Sequence, residues 1–225
     1  MLDPRATLFF LCDIQTRFSK AIHAYDQVII TANKLIFNCE VVATTQNARA
    51  LGPIDPQIDT GTLGPLYHGP IDKSLFSMIT PEVKSLLDAR PQVTSIVIFG
   101  IESHVCVLQT VLSLLELSST REKPLVPYLP LDGISSCNSF EVGIAMERMR
   151  RAGAIVTSSE SLAFEMMKDA GLPNFKEFSR FIKEEKEKTK TAGEILIAGR
   201  QLTNSHATQN EIAGGGVLMD SKSSL

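Results

Sequence analysis

The 225-residue chain has no excess of positive charge: 22 lysines and arginines stand against 25 aspartates and glutamates, a formal net charge of −3. Nucleic-acid backbones and anionic lipids are gripped through dense cationic surfaces. No basic cluster interleaved with aromatics is present, so no nucleic-acid partner is expected. A membrane partner is not expected either, because no apolar run approaches the ~18 residues that suggest a spanning helix. The opening MLDPRATLFFLCD has an early acidic residue, an apolar run too short for a secretory leader, and none of the Arg/Ser-rich pattern of a transit peptide. The expectation is an intracellular protein, cytoplasmic first, with the mitochondrion as the alternative.

Cysteine and histidine are also sparse. Cys12, Cys39, Cys106 and Cys137 show no Cys-x-x-Cys spacing, which argues against a disulfide framework or a zinc site and for reduced thiols. His23, His68, His104 and His206 are scattered along the chain, whereas a metal needs convergent ligands. No metal and no other cofactor is expected.

What is present is an alternation. Apolar runs at 7–14 (TLFFLCDI), 40–46 (EVVATTQ) and 95–100 (SIVIFG) read as strands, with weaker candidates at 124–131 and 154–158. Segments of helical period fall near 26–37, 81–89, 104–117 and 139–152. Continuous apolar strands alternating with helices mark a parallel sheet covered on both faces, and the length suits one α/β domain. From Gln46 to Lys73 the rhythm breaks: four prolines and four glycines make this an ordered loop close to a functional site. Phe175, Phe178 and Ile182 at helical spacing predict a final amphipathic helix, followed by a polar, fraying tail.

Chemistry concentrates around Cys106. A buried strand is expected to end at Gly100, and Ser103 is placed as the N-cap of the following helix. Cys106 then falls in the first helical turn, where free N–H groups and the helix dipole stabilise a thiolate and can hold an oxyanion. Asp13, at the end of the first strand, is placed to accept a proton, and ligands of open α/β sheets bind at the carboxyl ends of the strands. Cys106 reads equally well as core filler, and Asp13 as a turn former. A His104–Cys106 dyad is disfavoured, since residues two apart on a helix diverge.

FFLCDIQTRF, KSLFS and GIESHVCVLQT, in this order and at these separations, resemble the isochorismatase-like cysteine hydrolases, and within them the isochorismatase domain-containing proteins. The resemblance spans about residues 7–185. It implies a three-layer αβα Rossmann-like fold with a central parallel sheet of about six strands, a hydrolase domain over 1–190 and a C-terminal extension over 191–225. It also implies a catalytic triad of Asp13 as general base, Lys73 as orienting cation and Cys106 as nucleophile. By position, the family's cis peptide joins Ile101 and Glu102, and the N–H groups of Glu102 and Cys106 line the oxyanion hole. Metal-dependent nicotinamidases of the superfamily carry histidines after the second strand, where this chain reads TTQNARALG. True isochorismatases, which cleave a vinyl ether, lack the nucleophilic cysteine.

The reading that follows is a metal-independent hydrolase of a small amide, imide or carbamoyl compound, acting through a thioester. Gln15, Phe18 and Gln46 are candidate substrate contacts. A binding or interaction module that retains the fold without efficient turnover is the alternative. A small-molecule substrate and homo-oligomerisation complete the expectation.

Overall fold

The computed structural model describes residues 2–198; the remainder of the anticipated C-terminal extension lies outside the described residues. Six strands form one sheet: β1 Thr7–Cys12, β2 Val41–Gln46, β3 Tyr67–Lys73, β4 Ser95–Gly100, β5 Val126–Pro130 and β6 Ile155–Thr157. Their order is β3-β2-β1-β4-β5-β6, and every pairing is parallel. β1 and β4 occupy the centre with all their residues buried, as continuous apolar runs must in a sheet covered on both faces. The connections are α1 Tyr25–Ile36, α2 Ala48–Leu51, α3 Pro81–Asp88, α4 Leu108–Ser118, α5 Ser139–Ala152, α6 Ser159–Met167 and α7 Phe175–Gly193. α1 packs with α6 and α7, and α4 packs with α5. The result is the three-layer α/β arrangement expected.

Local chemistry sets several boundaries. Thr80 Oγ1 accepts from the Val83 N–H at 3.3 Å and Pro81 occupies the first helical position, so α3 begins there. Gly153, at φ 117, ends α5. In α7 the predicted apolar stripe is used: Phe178 meets Phe164 edge-to-face at 5.0 Å and Phe37 stacks on Phe181 at 5.3 Å. The helix runs through residue 190 to Gly193, and Leu196 beyond it is buried.

Two expectations are corrected. The segment 46–73 is not a single loop: it contains α2, a 3₁₀ stretch at Thr60–Leu66 and the strand β3. Its Gly and Pro disguised β3 as loop, yet an edge strand tolerates proline on its unpaired side. β3 accommodates a cis Gly69–Pro70 bond and a register irregularity opposite Val42 and Thr44. Ser103 is also not an N-cap. It is fully buried inside a π-type turn, Ser103–Val107, that leads into α4, and Glu102 takes the cap position without a side-chain bond. The Ser103 hydroxyl turns instead to Ser136 Oγ at 2.6 Å, and the Ser103 N–H donates to Ser135 O and Ser136 Oγ at 2.9 Å.

Candidate active site

The strand order reverses direction between β1 and β4, and in doubly wound sheets the crevice at the carboxyl ends of two such strands is the ligand site. Asp13 follows β1 directly, and Cys106 lies in the turn that follows β4. The approach is close: a Cβ on Gly100, at φ +121, would lie 2.2 Å from the Cys12 carbonyl oxygen. Only glycine allows the end of β4 to lie this near β1.

Asp13 adopts φ 50, a left-handed conformation that turns the chain at the end of β1. Its Oδ2 accepts from Lys73 Nζ at 2.7 Å, and both side chains are only 1% exposed. Its Oδ1 accepts from Thr44 Oγ1 at 2.8 Å. Thr44 is the register partner of Cys12, and Gln46 that of Lys73, so the three strands β1, β2 and β3 deliver the whole cluster. Lys73 Nζ also donates to Gln46 Oε1 at 2.9 Å and to the Leu75 and Phe76 carbonyls at 3.2 Å. A buried carboxylate and a buried ammonium are thus paired and their remaining hydrogen-bonding capacity is used, the condition for burying charge at tolerable cost.

Cys106 is buried, 7% exposed. Its neighbour is Cys12, whose thiol donates to Asp13 Oδ2 at 3.8 Å. The Cys12 thiol is pushed well above the ordinary range, first by burial, then by its interaction with the Cys106 side chain and by the charge of Asp13. The peptide between Ile101 and Glu102 is cis. Val105 and Val107 both send their N–H groups to the Glu102 carbonyl, at 3.2 and 3.1 Å. The Glu102 carboxylate accepts from the Cys137 N–H at 2.9 Å. The Cys137 thiol is raised by partial burial and by this carboxylate. His104 is engaged by Ser136, its Nδ1 lying 3.1 Å from Ser136 Oγ.

Gln15 is fully buried, with Nε2 donating to the Gly52 and Gln46 carbonyls at 2.6 and 3.2 Å and Oε1 accepting from the Gln46 N–H at 2.8 Å. Its amide is committed to bracing backbone. Gln46 touches the Lys73 ammonium, and Phe18, half-buried in the turn Thr16–Phe18, packs against the core. Thr44 and Cys12 were not anticipated as neighbours of Asp13. Only the pairing register, invisible in a single sequence, could have revealed Thr44. Among the described residues, no three His, Cys, Asp or Glu side chains are grouped to hold a metal ion.

Fold and crevice together define a doubly wound α/β protein with a buried Asp–Lys pair and a cysteine at the switch point. The chain belongs to the isochorismatase family, whose domain model matches residues 7–161. It is similar to the secreted isochorismatase effector Isc1 of Phytophthora sojae, at 37% identity over 81% of this chain and 87% of that protein. It is 34% identical to human isochorismatase domain-containing protein 2, over 80% of this chain and 85% of the other. Among solved structures, the MAR1 ribonuclease from Caenorhabditis elegans superposes with a TM-score of 0.69 at 31% identity, covering 80% of this chain and 91% of that one. No described helix is long and apolar enough to cross a membrane.

Proposed function

We propose that the protein is a metal-independent cysteine hydrolase of small amide, imide or carbamoyl compounds, with Cys106 as nucleophile, Asp13 as general base and Lys73 as the cation that fixes Asp13. The observation that carries this reading is the Asp13–Lys73 pair, 2.7 Å long and 1% exposed, at the carboxyl ends of β1 and β4, where Cys12 bonds Asp13 and in turn adjoins the buried Cys106. A purely structural ion pair gains little by burial, whereas a base beside a thiol needs a fixed, charged carboxylate.

In the proposed reaction Asp13 takes the proton of Cys106, and the thiolate forms a bond to the carbonyl carbon of the substrate. The N–H groups of Glu102 and Cys106 hold the resulting oxyanion. The C–N bond then breaks as Asp13 returns the proton to the departing amine. Water, deprotonated by Asp13, cleaves the thioester, and the proton returns to Cys106 Sγ. Within this reading the substrate is a small molecule and the active form is an intracellular homo-oligomer.

Two other activities come from the names of similar proteins: vinyl-ether cleavage, from the Phytophthora protein, and RNA cleavage, from the nematode one. The net charge of −3 supplies no overall attraction for an RNA backbone. A panel of small amides, carbamoyl compounds, isochorismate and single-stranded RNA decides among them. Amine release that Cys106→Ala abolishes is the expected result. Turnover of isochorismate or RNA that survives Cys106→Ala would refute the proposal.

A further inference from the structure

Lys73 has three N–H bonds to give and four oxygens already within 3.2 Å: Asp13 Oδ2, Gln46 Oε1 and the carbonyls of Leu75 and Phe76. It keeps no donor for a substrate, so the site has no free ammonium at this point to pair with a substrate carboxylate. What the ammonium does instead is nail down the chain that follows it. Two adjacent large apolar side chains, Leu75 and Phe76, are 53% and 49% exposed, on a segment whose carbonyls are fixed to a fully buried cation.

Gln46 completes the fixing. Its Oε1 accepts from Lys73 at 2.9 Å, and its Nε2 donates to the Ser74 carbonyl at 3.0 Å. Its own backbone N–H and carbonyl are both held by the buried amide of Gln15. A side chain so braced transmits position rather than adapting to a ligand. A mobile loop would present an apolar pair poorly, because each binding event would have to order it first.

We propose that Gln46 is a positioning residue acting through both ends of its side chain, and that the Ser74–Phe76 segment it secures is the specificity element, receiving the apolar substituent of an uncharged substrate on Leu75 and Phe76. This rests on the cysteine-hydrolase reading above and adds the substrate class to it.

The full-length chain can be tested without its substrate by using haloacetamides as probes of Cys106. Iodoacetamide and N-benzyl-iodoacetamide share one reacting group and differ by an apolar ring; iodoacetate replaces the amide with a charge. Rates of Cys106 modification at pH 7 are read by peptide mass spectrometry, each divided by the rate on N-acetylcysteine. The wild type is expected to favour the benzyl reagent on the order of tenfold, the worth of partly covering a ring, and to disfavour iodoacetate. Phe76→Ala, at an exposed position, and Gln46→Glu are each expected to bring the benzyl preference to within about twofold of unity. Gln46→Glu keeps an oxygen for Lys73 but loses the donor to Ser74, so it separates the two ends. A merely structural role for Gln46 would change the rates of the two neutral reagents together and leave the benzyl ratio alone, which would overturn the proposal, as would a wild-type benzyl ratio near one or iodoacetate keeping pace with the wild type. Cys106 reacting no faster than N-acetylcysteine with any reagent would instead remove the hydrolase reading, and this proposal with it.

Discussion

Replacing Lys73 with methionine keeps most of the buried volume and removes the charge. Asp13 Oδ2 then retains only the weak Cys12 thiol donor at 3.8 Å, while Oδ1 keeps Thr44. Asp13 is 1% exposed and the methionine fills the space the ammonium leaves, and orphaning one member of a buried pair costs about 3–5 kcal/mol. The three other oxygens that lose Lys73 add less, because the backbone at Leu75 and Phe76 lies near solvent. With a urea dependence of about 2 kcal/mol per molar for a chain of this size, the unfolding midpoint should fall by about 1.5–2.5 M. Asp13→Asn and the double variant complete the cycle. The double variant should cost clearly less than the sum of the single ones, because it leaves no unpaired charge. A loss below about 1 kcal/mol for Lys73→Met, the value of a surface pair, would refute the claim that Lys73 holds Asp13 as a buried pair.

Three further outcomes are expected. Thr44→Val removes the hydroxyl that bonds Asp13 Oδ1 and should cost about 1.5–3 kcal/mol in urea unfolding, as for hydrogen bonds to charged groups; a neutral effect would mean that the bond is replaced. Gly100→Ala forces a Cβ onto the Cys12 carbonyl at φ +121 and should cost about 3 kcal/mol or more, lowering the melting temperature by about 10 °C; a wild-type melt would contradict the close approach of β4 to β1. Burial pushes the Cys39 thiol up to about 12, against about 8.5 in the unfolded chain. The folded state therefore holds this proton more tightly, so its contribution to stability is complete below about pH 8.5 and is lost as pH rises towards 12. Cys39→Ala should flatten the fall in stability between pH 8 and 10.5, and an unchanged slope would show that this thiol is not the cause.

The central strands, the alternation and the switch-point cysteine were legible because buried parallel strands write themselves as unbroken apolar runs: SIVIFG is β4 to the residue. β3 was not, because an edge strand needs only half its hydrogen bonds and can carry Gly69 and Pro70. The start of α4 was misread for a different reason. A serine before an apolar period looks like a cap in isolation, but Ser103 is claimed by Ser136, which lies 33 residues away in sequence and meets it only after β5 is in place. Cys106 and Asp13 were candidates from their places after two apolar strands, but Lys73 came only from the resemblance of three spaced motifs, since a lone lysine in a Pro/Gly-rich stretch reads as solvated. The commitment of Gln15 to backbone could not be anticipated, because its partners Gln46 and Gly52 are brought to it by pairing and turn geometry rather than by sequence distance.

The proposed reaction requires Cys106 to form an acyl bond. Intact-mass and peptide mass spectrometry after rapid quenching of the protein with a panel of small amides and carbamoyl compounds tests this directly. An added acyl mass on the Cys106 peptide, absent in Cys106→Ala and diminished in Asp13→Asn, is the predicted result. Substrate turnover with no adduct on Cys106, or with an adduct on Cys12, Cys39 or Cys137, would contradict it.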